Sequence, residues 1–159
     1  GVEVKSAFDM LYGTGIKINL DIKETKVLPD LYTLIKECKM EGQVFMTGLD
    51  QAQTKLAKEE CPGIDYYLNC QPSRFKIFSD DYQTKILKIL DETGAIGINC
   101  NYAYASGTLS EVLHKNGYKL SVWTVDTDRA IKRSLIIKPD NITTHHPDLI
   151  QQAIDNWDK

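Results

Sequence analysis

The sequence predicts an α/β fold built from about six parallel βα units. Three observations predict it. Short strand-like runs recur at intervals of roughly 20 to 30 residues with a helix-like run in each gap, the rhythm of parallel strands joined by crossover helices. The runs favour β-branched and aromatic residues, as in Ile64 to Leu68 and Leu120 to Val125. Turn and cap residues fall where one unit should hand over to the next, at Gly42, Asp50, Gly63, Gly94 and Asn116-Gly117. An eight-unit barrel typically needs ~250 residues. At 159 residues the chain is short of that by about two units, so on length alone a doubly wound open sheet fits better.

The elements follow in order. Val4, Ala7, Phe8 and Leu11 stand at helical spacing, so the chain enters on a helix over residues 4 to 12. Ile18 to Lys23 alternates apolar Ile18, Leu20 and Ile22 with polar Asn19, Asp21 and Lys23, a strand with one buried and one polar face. Pro29 then sits near the start of a helix with Leu31, Leu34, Ile35 and Cys38 on one face. Val44-Phe45-Met46 is a short buried strand closing on Thr47-Gly48. Asp50 caps a helix over residues 51 to 60, which Cys61-Pro62-Gly63 stops.

Ile64 to Leu68 is the next strand and delivers Asn69 and Cys70 at its end. Residues 71 to 79 form the longest irregular stretch, locally basic, readable either as a mobile loop over a site or as a plain surface connection. Asp80 starts a helix burying Ile86, Leu87 and Leu90. Ala95 to Ile98 forms a strand terminating in Asn99-Cys100-Asn101. Leu109, Val112 and Leu113 mark a helix closed by Asn116-Gly117. Leu120 to Val125 is the most strand-like run, with Asp126 capping the short helix after it. Asn141 to Thr144 is the last strand, and Pro147 opens a helix with Leu149, Ile150, Ala153, Ile154 and Trp157 along one face.

Function in such folds lies at the carboxyl ends of the strands. Those ends carry Asp21 and Lys23, Thr47, Asn69, Asn99 and Asn101, Trp123 and Thr124, then Thr143, Thr144 and His145. Asp21 and Lys23 point the same way and pair a cation-holding acid with an anion-holding amine, a start for a phosphate site. The same residues also suit a solvated edge strand, and strand ends are polar in any α/β protein. Trp123, within Ser-Val-Trp-Thr-Val, favours a pocket wall, with core packing as the alternative. Of the adjacent His145 and His146, at most one should face a site.

A formal charge of -3 gives no basic footprint for nucleic acid. No apolar run reaches the ~20 residues of a membrane span. Cys38, Cys61, Cys70 and Cys100 form no Cys-x-x-Cys pair and read as reduced, mostly buried thiols, leaning toward a reducing, cytoplasmic compartment. Gly13-Thr14-Gly15 lacks the rest of a dinucleotide fingerprint and precedes a strand instead of following one.

Three pieces, Ile18 to Lys23, Ser121 to Val125 and Ile142 to Leu149, resemble in order and spacing the C-terminal two-thirds or so of a glycerophosphodiester phosphodiesterase. The resemblance implies an incomplete (β/α)8 TIM-type barrel, a single domain over the whole chain that lacks the first two βα units. It implies hydrolysis of a small-molecule glycerophosphodiester to an alcohol and glycerol 3-phosphate with a divalent cation, calcium or magnesium. It places Asp21 among the cation ligands, Lys23 near the phosphate and Trp123 beside the glycerol; the strand ends themselves add Asn69, Asn99, Asn101 and His145 as possible pocket residues.

Neither of the family's two catalytic histidines has a counterpart here, nor do its other carboxylate ligands. A single carboxylate cannot hold a hard cation that wants about six oxygen ligands. The chain alone is therefore expected to be inactive and to bind no cation. Asp21 stands for the usual Glu, Asp126 for Asn, and His145 for Asp or Asn, so cation affinity and substrate identity do not carry over. Two unsatisfied sheet edges are expected to drive homo-oligomerisation or strand exchange. The alternative is a non-catalytic α/β module that binds a phosphorylated ligand at Lys23 and Trp123.

Overall fold

The structure, a computed structural model, describes residues 2–157. Helix α1 (Val2–Leu11) precedes strand β1 (Ile18–Asp21), followed by α2 (Leu28–Glu37), β2 (Val44–Leu49), α3 (Gln51–Glu60), β3 (Asp65–Asn69) and α4 (Asp80–Thr93). The second half runs β4 (Gly97–Asn101), α5 (Gly107–Lys115), β5 (Lys119–Trp123), α6 (Asp128–Ile137), β6 (Asn141–Ile142) and α7 (Pro147–Trp157). All pairings are parallel, and the strands lie side by side in chain order. A doubly wound sheet reverses its strand order at a switch point. The uninterrupted order therefore rules out the open sheet that length favoured, and the strands curl into a half-barrel, an incomplete TIM-type barrel.

Strand alternation sorts the side chains into two layers. Met46, Tyr66, Leu68, Ile98, Cys100, Leu120 and Val122 are buried on the convex side, where they form one core with Leu28 and Ile35 of α2, Leu90 of α4, Leu109 and Leu113 of α5 and Ile131 of α6. The concave side takes the other register. Its lower half is lined by Asn19, Phe45, Tyr67, Lys119 and Asn141, with Phe45 and Tyr67 packed edge to face at 5.7 Å between ring centres. Its upper half, at the carboxyl ends, is described below.

Caps and breaks explain most boundaries. Asp50 accepts from the Ala52 and Gln53 amides while Gln53 returns a bond to the Asp50 amide, a capping box worth about 1 kcal/mol. Gly94 ends α4 in the left-handed region. The expected helix after β1 begins instead with a 3-10 turn, Thr25–Val27. Helix α6 is capped by Thr127, whose hydroxyl accepts from Ala130, and not by Asp126. Strand β4 runs to Asn101, the end at which the sequence terminates it, but begins at Gly97 and not at Ala95, since β5 pairs with Gly97 to Asn101. Residues 71–79 are a surface connection anchored by buried Pro72 and Ile77, and the Ser73 amide donates to the Tyr82 hydroxyl at 2.7 Å. Leu87 is only half-buried. On α7 only Ile150 is buried, while Leu149, Ile154 and Trp157 stay 40–47% exposed.

Candidate functional site

An open cavity of about 470 Å³ lies at the carboxyl ends of the strands, lined by Asn19, Asp21, Lys23, Thr47, Asn69, Asn99, Trp123 and Thr143 among others. Strands β1 to β5 contribute, and Thr143 joins from just beyond β6, because the concave register brings residues of like height to one rim.

The β1 wall is charged and wet. Asp21 Oδ2 and Lys23 Nζ pair at 2.6 Å, with the lysine side chain 80% and the carboxylate 49% exposed. An exposed pair of this kind contributes about 0–1 kcal/mol to folding, so its place at the rim reflects chemistry more than stability. Gly48 makes room for it. At φ +87°, an added Cβ there would come within 2.5 Å of Asp21 Oδ1 and 2.6 Å of the Ile22 carbonyl. Gly48 sits in a bulge of β2, where the two residues between Met46 and Leu49 lie opposite the single residue Tyr67 of β3.

The bulge also aims the Gly48 amide inward. It donates to Asn69 Oδ1 at 3.1 Å, and the same oxygen accepts from Asn99 Nδ2 at 2.8 Å. Beside them the Thr47 hydroxyl donates to Asn19 Oδ1 at 2.9 Å. This second wall is neutral and deeper than the first, with Thr47 and Asn99 only 3% and 5% exposed and Gly48 and Asn69 half-buried. Among the described residues, Asn99 Oδ1 and Trp123 Nε1 are buried polar atoms with no hydrogen-bond partner, and both residues line the cavity. Behind this wall, burial raises the Cys70 thiol to about 11 and the Cys100 thiol to about 12, so neither is poised as a nucleophile. All four cysteines are free; Cys61 and Cys100 are buried and Cys38 and Cys70 half-buried.

Two sequence candidates stand outside the cavity lining. Asn101, the last residue of β4, is bonded to the neighbouring connections instead, with its amide donating to Gln71 Oε1 at 3.0 Å and its Oδ1 accepting from the Ala103 amide at 2.9 Å. His145 is turned to Asp126: its amide donates to Asp126 Oδ1 at 2.8 Å and its Nδ1 lies 2.6 Å from Asp126 Oδ2. The His145 amide, then its ring, then the Thr144 hydroxyl hold the Asp126 carboxyl down at about 2. Residues that reading from sequence missed are Asn19 and Gly48. Asn19 was legible from its register with Asp21, whereas nothing local announces the bulge at Gly48.

The donor set does not by itself make a cation site. Asp21 is the sole carboxylate in the cavity lining, and no cluster of three His, Cys, Asp or Glu side chains suited to a metal occurs among the described residues. What the cavity offers is an amine at one wall and oriented amides, hydroxyls and an indole at the other. That combination suits a phosphorylated, hydroxyl-bearing small molecule.

No protein-family model matches the chain, and no curated protein matches it in sequence. Solved structures do match in fold. A candidate glycerophosphoryl diester phosphodiesterase from Silicibacter pomeroyi superposes with a TM-score of 0.77 at 16% identity, over 97% of this chain and 56% of that one. A phosphodiesterase from Oleispira antarctica, determined in complex with the product sn-glycerol-3-phosphate, gives 0.69 at 16% identity over 96% and 61%. A glycerophosphodiester phosphodiesterase from Agrobacterium tumefaciens gives 0.66 at 16% over 94% and 60%. The chain thus spans less than two thirds of the length of these structures, and its fold is that of a partial glycerophosphodiester phosphodiesterase barrel.

Proposed function

We propose that this chain is the phosphate- and alcohol-binding part of a phosphodiesterase that hydrolyses glycerophosphodiesters to an alcohol and glycerol 3-phosphate. The observation that carries the reading is the convergence of Asp21, Lys23, Asn69, Asn99 and Trp123 on one cavity at the catalytic end of the half-barrel. The likeness in fold to a phosphodiesterase holding sn-glycerol-3-phosphate supports it. Lys23 contacts the phosphate and Trp123 walls the glycerol side. Asp21 would supply one carboxylate toward a calcium or magnesium ion, which would need further oxygen ligands from two additional βα units. Were the acid and base to come from those units as well, the single domain formed by residues 1–159 would have little activity alone.

The test is hydrolysis of glycerophosphocholine with calcium or magnesium, by the chain alone and by a polypeptide carrying two additional amino-terminal βα units. Turnover by the longer protein and little by the shorter is the expected result. No turnover by either would overturn the enzymatic reading. A second reading, a non-catalytic module for phosphorylated ligands, is favoured by one observation: no histidine lines the cavity. Glycerol 3-phosphate binding without turnover in the longer protein would select it.

Association between copies belongs to the same proposal. The backbone groups of Asn19 and Asp21 that face away from β2, and the outer side of β6, are free edges among the described residues. Beside β1 runs a groove with Val4, Leu20, Ile22, Leu31 and Leu34, and α7 exposes Leu149, Ile154 and Trp157. Light scattering checks it: a clean monomer at high concentration would count against self-association.

A further inference from the structure

We infer that the connections following β3, β4 and β5 form a docking surface for an anionic lipid membrane, which sets the mouth of the cavity against the lipid. The inference goes beyond the phosphodiesterase reading and does not depend on it. All three connections leave the carboxyl ends of their strands, the end at which the cavity opens.

The connection after β3 exposes what a folded chain normally hides. Phe75 is 91% and Phe78 70% exposed. Phe75 precedes and Phe78 ends a 3-10 turn, Lys76–Phe78, and residues three apart in such a turn share one side. Ile77 between them is buried in the core, to which neither phenyl ring belongs. Gln83 Nε2 donates to the Ile77 carbonyl at 2.8 Å, and the Ser73 amide donates to the Tyr82 hydroxyl. The turn is therefore held by Ile77 and these bonds, with both rings presented outward. Tyr104, on the connection after β4, is 46% exposed.

Cationic groups accompany the rings. Arg74 and Lys76 stand in the same connection, and Arg129, Lys132 and Arg133 on the first half of α6. Arg133 Nη2 reaches to the connection after β4 and donates to the Ala105 carbonyl at 2.8 Å, while its buried Nε has no partner. Burial, then the like charges of Arg74 and Arg129, lowers the Arg133 guanidinium below its ordinary range, so the three arginines crowd one rim. None of these five side chains forms an ion pair among the described residues. Asp80, Asp81 and Asp128 adjoin them in sequence, but each sits in the first turn of a helix, whose dipole offsets its charge. Asp126 is bonded to His145.

Unpaired cations beside outward phenyl rings match a layer of lipid head groups, where phosphates take the cations and the rings enter the acyl boundary. A nucleic acid asks instead for a basic footprint that a chain of net charge -3 does not give. The experiment is flotation of the protein with vesicles of phosphatidylcholine alone and of phosphatidylcholine with an equal part of phosphatidylserine. Binding to the anionic vesicles should be about tenfold the stronger and should fall as salt rises. Phe75→Ser with Phe78→Ser should weaken it about tenfold, and Arg74→Gln with Arg129→Gln should bring the two vesicles toward equal binding. Leu149→Ser with Ile154→Ser, on the other exposed apolar face, should float like the parent. Equal binding of the parent to both vesicles, binding to neither, or parent-like binding after loss of both phenyl rings overturns the inference. Binding to single-stranded polyuridylate but to neither vesicle overturns it in favour of nucleic acid. The comparison of vesicles needs no substitution, so an unstable variant leaves the test intact.

Discussion

The two walls of the cavity are built in opposite ways. At β1 the functional groups are charged, exposed and bonded only to each other, Asp21 to Lys23 at 2.6 Å. Across β2 to β5 they are neutral, half-buried or buried, and locked by a bulge and an amide relay from Gly48 to Asn69 to Asn99. The difference teaches where rigidity comes from. A strand in mid-sheet is fixed on both sides and can hold uncharged groups in one orientation at little desolvation cost. An edge strand keeps its charges near water, where they are cheap to maintain and free to turn toward a ligand.

The contrast can be broken from the buried side first. An added Cβ at Gly97 would run into the Lys119 carbonyl of the neighbouring strand, so Gly97→Ala should force β4 and β5 apart and cost about 3 kcal/mol in urea unfolding. An unchanged midpoint would mean that the inner wall is looser than its packing implies. Gly48→Ala tests the joint between the walls, since it strains a left-handed backbone and crowds Asp21; a loss of about 1–3 kcal/mol is expected, together with weaker phosphate binding. On the charged wall the pattern should invert. Lys23→Met should leave stability within about 0.5 kcal/mol of the parent while phosphate affinity falls about tenfold.

The smallest effect concerns the rim beyond β6. Folding lowers the Asp126 carboxyl from its ordinary 3.8 to about 2. A lowered acid stabilises above its unfolded value and loses that contribution as pH falls through the folded one. The stability gap between the parent and Asp126→Asn should therefore be full above about pH 4 and close as pH falls toward 2. A gap that persists at the acid end would show that the tie to His145 does not depend on the carboxylate charge.

Much of this was legible in the sequence because parallel strands must bury one face against helices. The alternation at Ile18 to Lys23 gave both the strand and the shared direction of Asp21 and Lys23. Asp50 announced the cap of α3, which Gln53 completes as a capping box. Register was harder. The sequence starts the fourth strand at Ala95, yet β4 begins at Gly97, because its pairing with β5 spans Gly97 to Asn101 and carries the weakly strand-forming Asn-Cys-Asn. Asp126 looked like a cap, but Thr127 stands one residue closer to α6 and leaves Asp126 to the Thr144–His145 turn. Such pairings join residues about twenty positions apart, and no local pattern encodes them. The exposed apolar side of α7 was equally invisible, since periodicity marks a face without saying what covers it.

The uniform direction of the six strands also limits what can complete the sheet. Both free edges, at β1 and β6, run the same way. A hairpin brings two strands of opposite sense, so it could match one edge only by opposing the other. Each strand added in register with this sheet must return through a crossover of a dozen or more residues, usually helical. The gap is therefore selective for chain direction: short extended peptides could dock at either edge, but only segments with their own helices could bridge the two.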